Sequence, residues 1–96
     1  MKKVIVYSRC SCDSVDALNA QVQECIQYAS TKGYTVVRVI QQLNVPADGN
    51  AFNDIIDNIN TDVVTMNITR IARSKAMQDT IVKNLEVKQC KLIFVN

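Results

Sequence analysis

The chain contains no histidine, and this absence limits the chemistry open to its serines. A serine nucleophile here cannot be driven by a Ser-His-Asp triad, so acyl transfer through a histidine proton shuttle is disfavoured. The sequence also lacks a glycine-rich phosphate loop. Its two glycines, Gly33 and Gly49, fit neither the G-x-G-x-x-G nor the P-loop pattern, and nothing positive supports nucleotide binding.

Long hydrophobic runs and a strong charge of one sign are missing as well. No segment approaches the roughly 18 apolar residues that a membrane span needs, and the N-terminus is too short in apolar residues for a signal peptide. We therefore expect a cytoplasmic protein with no membrane partner. Eleven basic and nine acidic residues give a net charge of only +2, so nucleic-acid binding by this domain alone is expected to be weak and sensitive to salt.

Four cysteines are present, but they do not form a metal-binding set. Cys10 and Cys12 flank Ser11 as a C-x-C, and no histidine or second cysteine pair completes a zinc site. Cys25 and Cys90 fall on apolar positions of predicted elements, and we expect them to be buried thiols. The sequence thus predicts neither a metal nor a cofactor. A small thiol protein that uses Cys10 and Cys12 stays open as an alternative.

The hydrophobic pattern predicts alternating strands and helices. Strands are predicted over 3–8, 34–40, 62–67 and 91–95, and helices over about 14–32, around 52–59 and over 75–87. Gly33 is a natural residue to end the first helix, and residues 41–50 are expected to form a loop. The order βαβαβαβ indicates a single α/β domain over 1–96, a four-stranded parallel sheet with helices on both faces.

A serine and several arginines follow two of the predicted strands. Arg9 and Ser11 come after the first strand, and Arg70 and Arg73 come after the third. Because the carboxyl ends of parallel strands share one edge of the sheet, where such folds place their active sites, we expect these side chains to meet. Guanidinium groups bind phosphate oxygens bidentately and stay charged. A serine surrounded by arginines therefore suits phosphate chemistry.

Each of these residues also has a simpler interpretation. Ser11 lies close to the start of the first predicted helix, where serine is a favoured N-cap. Arg70 and Arg73 lie three residues apart near another helix start and are compatible with ordinary solvated charges. Gln21 lies off the apolar stripe of the first helix, and spacing alone gives it no role.

The combined pattern resembles the catalytic domain of serine recombinases, the resolvase and invertase family, over nearly the whole chain. The family's Tyr-x-Arg-x-Ser motif is matched by Tyr7, Arg9 and Ser11, and its Leu-x-x-Gln by Leu18 and Gln21. Its Asp-Arg-x-x-Arg-Ser motif is matched by residues 69–74, with threonine in the first place. The three motifs in this order, with these elements between them, are more specific than any one of them.

The resemblance implies a site-specific DNA recombinase domain, which cleaves and rejoins DNA through a covalent 5′-phosphoserine intermediate. Ser11 would be the nucleophile, and Arg9, Arg70 and Arg73 would hold the scissile phosphate. Gln21 would support the site. No metal or cofactor is implied, because the covalent link conserves the bond energy for religation. DNA is the implied partner, and family members form homo-oligomers.

The chain departs from the family pattern at two positions and in its extent. The family's loop arginine, counted back from Phe52, falls on Gly49, and Thr69 replaces the aspartate before Arg70. The family's long dimerisation helix and separate DNA-binding domain have no counterpart in 1–96, which suggests an excised fragment or a short stand-alone relative. These departures support a second hypothesis, a catalytically impaired recombinase-like domain with a regulatory or interaction role.

Overall fold

A computed structural model describes residues 2–10, 14–46 and 48–95. The strands and helices alternate in the order β1 (Lys3–Cys10), α1 (Val15–Thr31), β2 (Thr35–Leu43), α2 (Asn50–Ile55), β3 (Asp62–Thr65), α3 (Lys75–Val87) and β4 (Leu92–Phe94). Short 3-10 turns follow α2 and β3, at Ile56–Asn58 and Ile68–Arg70. All strand pairs are parallel, in the spatial order β2-β1-β3-β4. The predicted four-stranded parallel sheet is confirmed.

Helices cover both faces of the sheet, as predicted. Successive side chains of β1 point to opposite faces, and both faces are buried, which is why the strand reads as an unbroken apolar run. The α1 face of the core contains Val4, Val6, Val22, Cys25, Ala29 and Val64. The face covered by α2 and α3 contains Ile5, Tyr7, Phe52, Val63, Ile81 and Leu85. In the described part of the chain, no helix is both long and apolar enough to cross a bilayer.

Helix α1 is capped at both ends by residues suited to those positions. The Ser14 hydroxyl accepts a hydrogen bond from the Ala17 amide at 3.1 Å, which satisfies one of the unpaired donors of the first turn. At the other end Gly33 has φ 76°, and the Tyr34 amide donates to the Ala29 carbonyl at 2.8 Å. This is the Schellman arrangement, so the predicted helix end at Gly33 is confirmed.

Two buried thiols belong to this core. Cys25 and Cys90 are both buried, as predicted. Burial, together with the charge of Glu24, raises the pKa of the Cys25 thiol to about 11. The thiol therefore stays protonated at neutral pH and acts as a packing residue rather than a nucleophile.

Two strands run further toward the carboxyl edge of the sheet than the sequence predicts. Strand β1 extends to Cys10 and β2 extends to Leu43, with Arg9 paired to Gln42. Strands β3 and β4 are shorter than predicted. Since strand pairing joins backbone groups, polar side chains at the ends of β1 and β2 do not stop it. The prediction that Arg9 comes after the first strand was therefore wrong, because Arg9 is part of that strand.

Candidate functional site at the carboxyl edge of the sheet

The ends of β1 and β3 bring three arginines into one region. Arg9 is the second-to-last residue of β1, and Arg70 is the last residue of the 3-10 turn after β3. Arg73 directly precedes Ser74, the N-cap of α3. The Nε of Arg9 donates to the backbone oxygen of Arg70 at 2.8 Å. Burial lowers the pKa of Arg9, and the positive charges of Arg70 and Arg73 lower it further. The topology thus places the three arginines together, as expected for this edge of a parallel sheet.

The three arginines differ in their exposure to solvent. Arg9 is only 2% exposed, whereas Arg70 is half-buried and Arg73 is exposed. The Nε of Arg70 is buried and has no hydrogen-bond partner. Leaving such a donor unpaired is costly, so this atom is suited to an incoming anion. Among the described residues the ion pairs are Lys2–Asp62 and Lys75–Asp79, and neither neutralises the arginine cluster.

Arg9 is held on three sides by backbone contacts. Its Nη1 donates to the Val45 carbonyl at 2.9 Å, in addition to the bond from its Nε to Arg70. Its own carbonyl accepts a hydrogen bond from Gln21 Nε2 at 3.2 Å. The guanidinium therefore lies between the segment after β2 and the turn after β3. The bond from Gln21 joins this end of the strand to α1.

Gln21 lies closer to the core than its spacing indicates. The sequence pattern sets it off the apolar stripe, but it is only 9% exposed and lies beside Val22 and Leu18 among the buried residues of α1. That placement was wrong because the first half of α1 crosses the polar end of β1, where an amide can bond to a strand carbonyl. The contact with Arg9 gives Gln21 a place in the site region.

Gln42 is a residue in this region that the sequence analysis missed. The Tyr7 hydroxyl donates to Gln42 Oε1, and Gln42 Nε2 donates to the Ala51 carbonyl at 3.4 Å. Burial raises the pKa of Tyr7 to about 12, so its hydroxyl remains a donor at neutral pH. The pair joins β1 and β2 to α2. No local spacing signals Gln42, because its position depends on the register between two strands.

Ser11, the predicted nucleophile, lies outside the described residues, as does Cys12. In the sequence Ser11 directly follows Cys10, the last residue of β1. The Cys10 carbonyl accepts a hydrogen bond from the Val45 amide at 3.2 Å, which fixes the end of that strand. The role of Ser11 stays a prediction, and so does the thiol alternative at Cys10 and Cys12.

Position 49, where the family pattern has an arginine, is packed closely against Met77. Gly49 is buried at the N-cap of α2 with φ 86°. A Cβ there would lie 2.2 Å from Met77 Cγ and 3.0 Å from Ala72 Cβ. Met77 would therefore have to move before a side chain could stand at position 49. At the other departure, the exposed Thr69 bonds through its hydroxyl to Asn67 Oδ1.

An apolar cavity of about 370 Å³ has no arginine in its lining. It is lined by Ile68, Val82, Leu85, Glu86, Cys90, Lys91, Leu92 and Phe94, none of which is a predicted site residue. Across the described ranges, no group of histidine, cysteine or acidic side chains is arranged to hold a metal ion. What the carboxyl edge offers is a set of guanidinium donors, and their chemistry is the binding of an anion.

Comparison with known protein structures supports the fold. The structure is similar to the N-terminal catalytic domain of TP901-1 integrase, with 22% identity, a TM-score of 0.79, and coverage of 99% of this chain and 78% of that one. It is also similar to the C-terminal catalytic domain of ISC1926 TnpA, an IS607-like serine recombinase, with 19% identity, a TM-score of 0.74 and coverage of 98% and 70%. A third similar structure is the first ORF in transposon ISC1904 from Sulfolobus solfataricus P2, with 22% identity and a TM-score of 0.70. The match covers 98% of this chain and 67% of that one. These likenesses confirm the fold.

The sequence itself identifies the family. No curated protein sequence matches the chain. The family described as "Resolvase, N terminal domain" matches residues 4–96, which is nearly the whole chain and includes all three motifs. The chain therefore belongs to the resolvase family, as its motifs predict.

Proposed function

We propose that this chain is the catalytic domain of a site-specific DNA recombinase that uses Ser11 as its nucleophile. The observation that carries the proposal is the cluster of Arg9, Arg70 and Arg73 at the carboxyl edge, next to the residue that precedes Ser11. The similar structures are named as catalytic domains of an integrase and of an IS607-like serine recombinase. We extend that activity to this chain, with DNA as its partner and the cytoplasm as its location.

The proposed reaction exchanges one phosphate ester for another. The Ser11 oxygen bonds to the phosphorus of a DNA phosphodiester and loses its proton, and the bond from phosphorus to the 3′ oxygen breaks. The 3′ oxygen leaves as a hydroxyl, and the 5′ phosphate stays on the serine. Religation is the reverse attack by a 3′-hydroxyl, so the number of ester bonds is conserved and no energy source is required.

The arginines can stabilise the negative charge of the transition state, and this does not require a histidine. A pentacoordinate phosphate carries more negative charge than the diester, and fixed guanidinium donors stabilise it. Arg70 has a buried Nε without a partner, and Arg73 is exposed beside it. The cationic edge therefore favours the transition state of phosphoryl transfer more than it favours the ground state.

The test is covalent capture on DNA. The full chain is incubated at low salt with nicked duplexes randomised around the expected cleavage point, from which the short 3′-hydroxyl fragment diffuses away. We expect an SDS-stable adduct, and mass spectrometry after nuclease digestion should place the phosphate on Ser11. Ser11→Ala should reduce adduct formation at least 100-fold, and the matched control Ser14→Ala should change it by less than about threefold. An adduct that survives Ser11→Ala would contradict the assignment.

Gly49 favours a second candidate function, a recombinase-like domain that regulates or interacts without cutting DNA. Glycine at position 49 leaves the site without the family's loop arginine, and one missing cationic donor lowers a rate by about 100-fold or more. If no variant and no wild-type preparation forms an adduct while the chain still binds the nicked duplex, this second function is favoured.

A further inference from the structure

We infer that the chain associates weakly with a second copy of itself through strand β2, which pairs antiparallel with its counterpart and extends the sheet. The inference does not depend on the proposed function, because none of the predicted site residues lies on β2. Three features of β2 support it: an unpaired edge, exposed apolar side chains, and a register that keeps like charges apart.

Strand β2 leaves one of its edges open. It is an outer strand in the sheet order β2-β1-β3-β4, and within the described residues its only strand partner is β1. With nine residues, Thr35–Leu43, it is the longest of the four described strands. One row of its backbone N–H and C=O groups therefore faces away from the sheet. Such an edge is a template for a further strand, and proteins often protect it with lysine or proline, which β2 does not contain.

Exposed apolar side chains follow this open edge. In the regular part of β2, beyond the irregularity at Val37, Val39 and Leu43 are 41% and 37% exposed. Val39 is paired with Val6, which belongs to the core under α1. Because strand side chains alternate between the two faces, Val39 and Leu43 share the α1 face of the sheet. A second strand beside β2 would cover both of them.

The side-chain pattern selects one register for the two copies. When a two-fold axis perpendicular to the sheet relates two antiparallel strands, it places one residue opposite its own counterpart. With Gln41 at that place, Val39 of each copy lies opposite Leu43 of the other. The exposed apolar side chains then meet twice on the α1 face, and such cross-strand pairs stabilise a sheet.

The same register keeps apart the charges that would oppose self-association. Arg38 is the only charged residue of β2, and it lies opposite Asn44 of the other copy. Six residues separate that place from the other Arg38, a distance of about 20 Å along the strand. This is well beyond the Debye length of about 10 Å at 0.1 M salt. A register centred on Arg38 would instead set two cations directly opposite each other, which is destabilising.

The size of the contact predicts that the association is weak. Residues 38–44 span about 23 Å, and half of each neighbouring layer gives the edge a depth of about 20 Å. Each copy then buries about 450 Å², or about 900 Å² for the pair, below the range of about 1,200 to 2,000 Å² found in stable complexes. Self-association is therefore expected only at high protein concentration.

Antiparallel pairing also decides where the two arginine clusters lie. The carboxyl ends of the two β2 strands point in opposite directions, so the clusters lie at opposite ends of the joined sheet. This form differs from one that would bring two sites to the same cleavage point, and it requires no DNA. If the chain self-associates but forms no adduct with DNA, the proposed function fails and the present inference stands.

Sedimentation equilibrium of the full chain without DNA measures the association. From about 10 µM to about 1 mM, the range of weak complexes, the average mass of wild type should rise toward that of a dimer. Val39→Lys places a cation on the open edge and should weaken association at least tenfold. The matched control Val87→Lys changes a valine that is 85% exposed at the end of α3, and should change association less than twofold. A monomeric wild type, or equal effects of the two variants, would overturn the inference.

Cross-linking tests the register. Residues opposite each other in antiparallel strands have Cα atoms about 4.5 to 5.5 Å apart, which suits a disulfide. With oxidised glutathione, Gln41→Cys should form at least ten times more covalent dimer than Arg38→Cys, whose counterparts are about 20 Å apart. Wild type gives the background from its four native cysteines. Equal yields from the two variants would contradict the pairing of β2, and this comparison decides if Val39→Lys does not fold.

Discussion

At the scale of single residues, Gly49 is constrained both by its backbone and by its neighbours. Its φ of 86° lies in the left-handed region, which costs an L residue about 1 to 2 kcal/mol. Its missing side chain also makes room for Met77 and Ala72. Gly33 has a similar φ of 76° but no atom within 4 Å of where a Cβ would lie. The two glycines therefore separate backbone strain from steric overlap.

Alanine substitution at these two positions is expected to have unequal effects. Gly33→Ala should lower the free energy of unfolding by about 1 kcal/mol, through strain alone. Gly49→Ala should lower it by about 3 kcal/mol, because overpacking against Met77 is added to the strain. Urea denaturation of both variants measures the difference. Equal losses would show that Met77 moves aside freely, and that the packing does not exclude a side chain at position 49.

The candidate site residues can be recognised from local sequence patterns, whereas their contacts cannot. Arg9 and Gln21 are recognisable because they match motif positions in a fixed order along the chain. Their acceptors are backbone carbonyls, such as those of Val45 and Arg70, and any residue type supplies a carbonyl. Such partners come from strand register and turn geometry, which no local sequence pattern records. The hydrogen bonds of Arg9 are therefore visible only in the structure.

At the scale of elements, helices were predicted better than strands. Helix α3 has the predicted bounds, Lys75–Val87, because its apolar spacing and its serine N-cap are both local signals. The ends of β1 and β2 were placed too early, since Arg9, Gln41 and Gln42 are polar, yet strand pairing continues through them. Pairing depends on the partner strand, which is distant in the sequence. The error mattered because these extra residues carry the site contacts.

The C-terminal end of α3 offers a stabilising substitution. Gln89 occupies the position after the C-cap with φ 60°, and the Cys90 amide donates to the Leu85 carbonyl at 2.9 Å. Gly33 has the same place at the end of α1. Glutamine is less suited than glycine to this positive φ. Gln89→Gly should therefore raise the free energy of unfolding by about 1 kcal/mol, because glycine adopts this conformation without strain.

A matched control should have the opposite sign. Gln23 is exposed within α1, where glycine is about 0.5 to 1 kcal/mol less favourable than a good helix former. Gln23→Gly should lower the melting temperature, and Gln89→Gly should raise it. Thermal unfolding followed by circular dichroism measures both. A loss of stability in both variants would show that Gln89 makes side-chain contacts that outweigh its backbone strain.

At the scale of the whole molecule, a small net charge conceals an uneven distribution. The net charge is +2, yet Arg9 lies close enough to Arg70 and Arg73 for their positive charges to lower its pKa. Arg73 also precedes the N-terminus of α3, where the helix dipole disfavours a cation. This arrangement of charges lowers the stability of the domain alone and favours the binding of an anion. We therefore expect the clustered positive charges at this edge to lower the stability of the fold and to favour the binding of phosphate.

Removing the exposed charge should show this trade directly. Arg73→Gln is expected to raise the free energy of unfolding by about 0.5 kcal/mol at low salt, the scale of interactions between exposed charges. The gain should shrink in 0.5 M sodium chloride, because the Debye length falls well below 10 Å. Arg38→Gln, which removes a charge of the same sign from β2, should change stability less. Urea denaturation of wild type and of both variants at two salt concentrations measures these changes in the free energy of unfolding. A destabilised Arg73→Gln would mean that Arg73 is a structural residue. Inorganic phosphate should stabilise wild type and Arg38→Gln but not Arg73→Gln, since a ligand stabilises only the form that binds it.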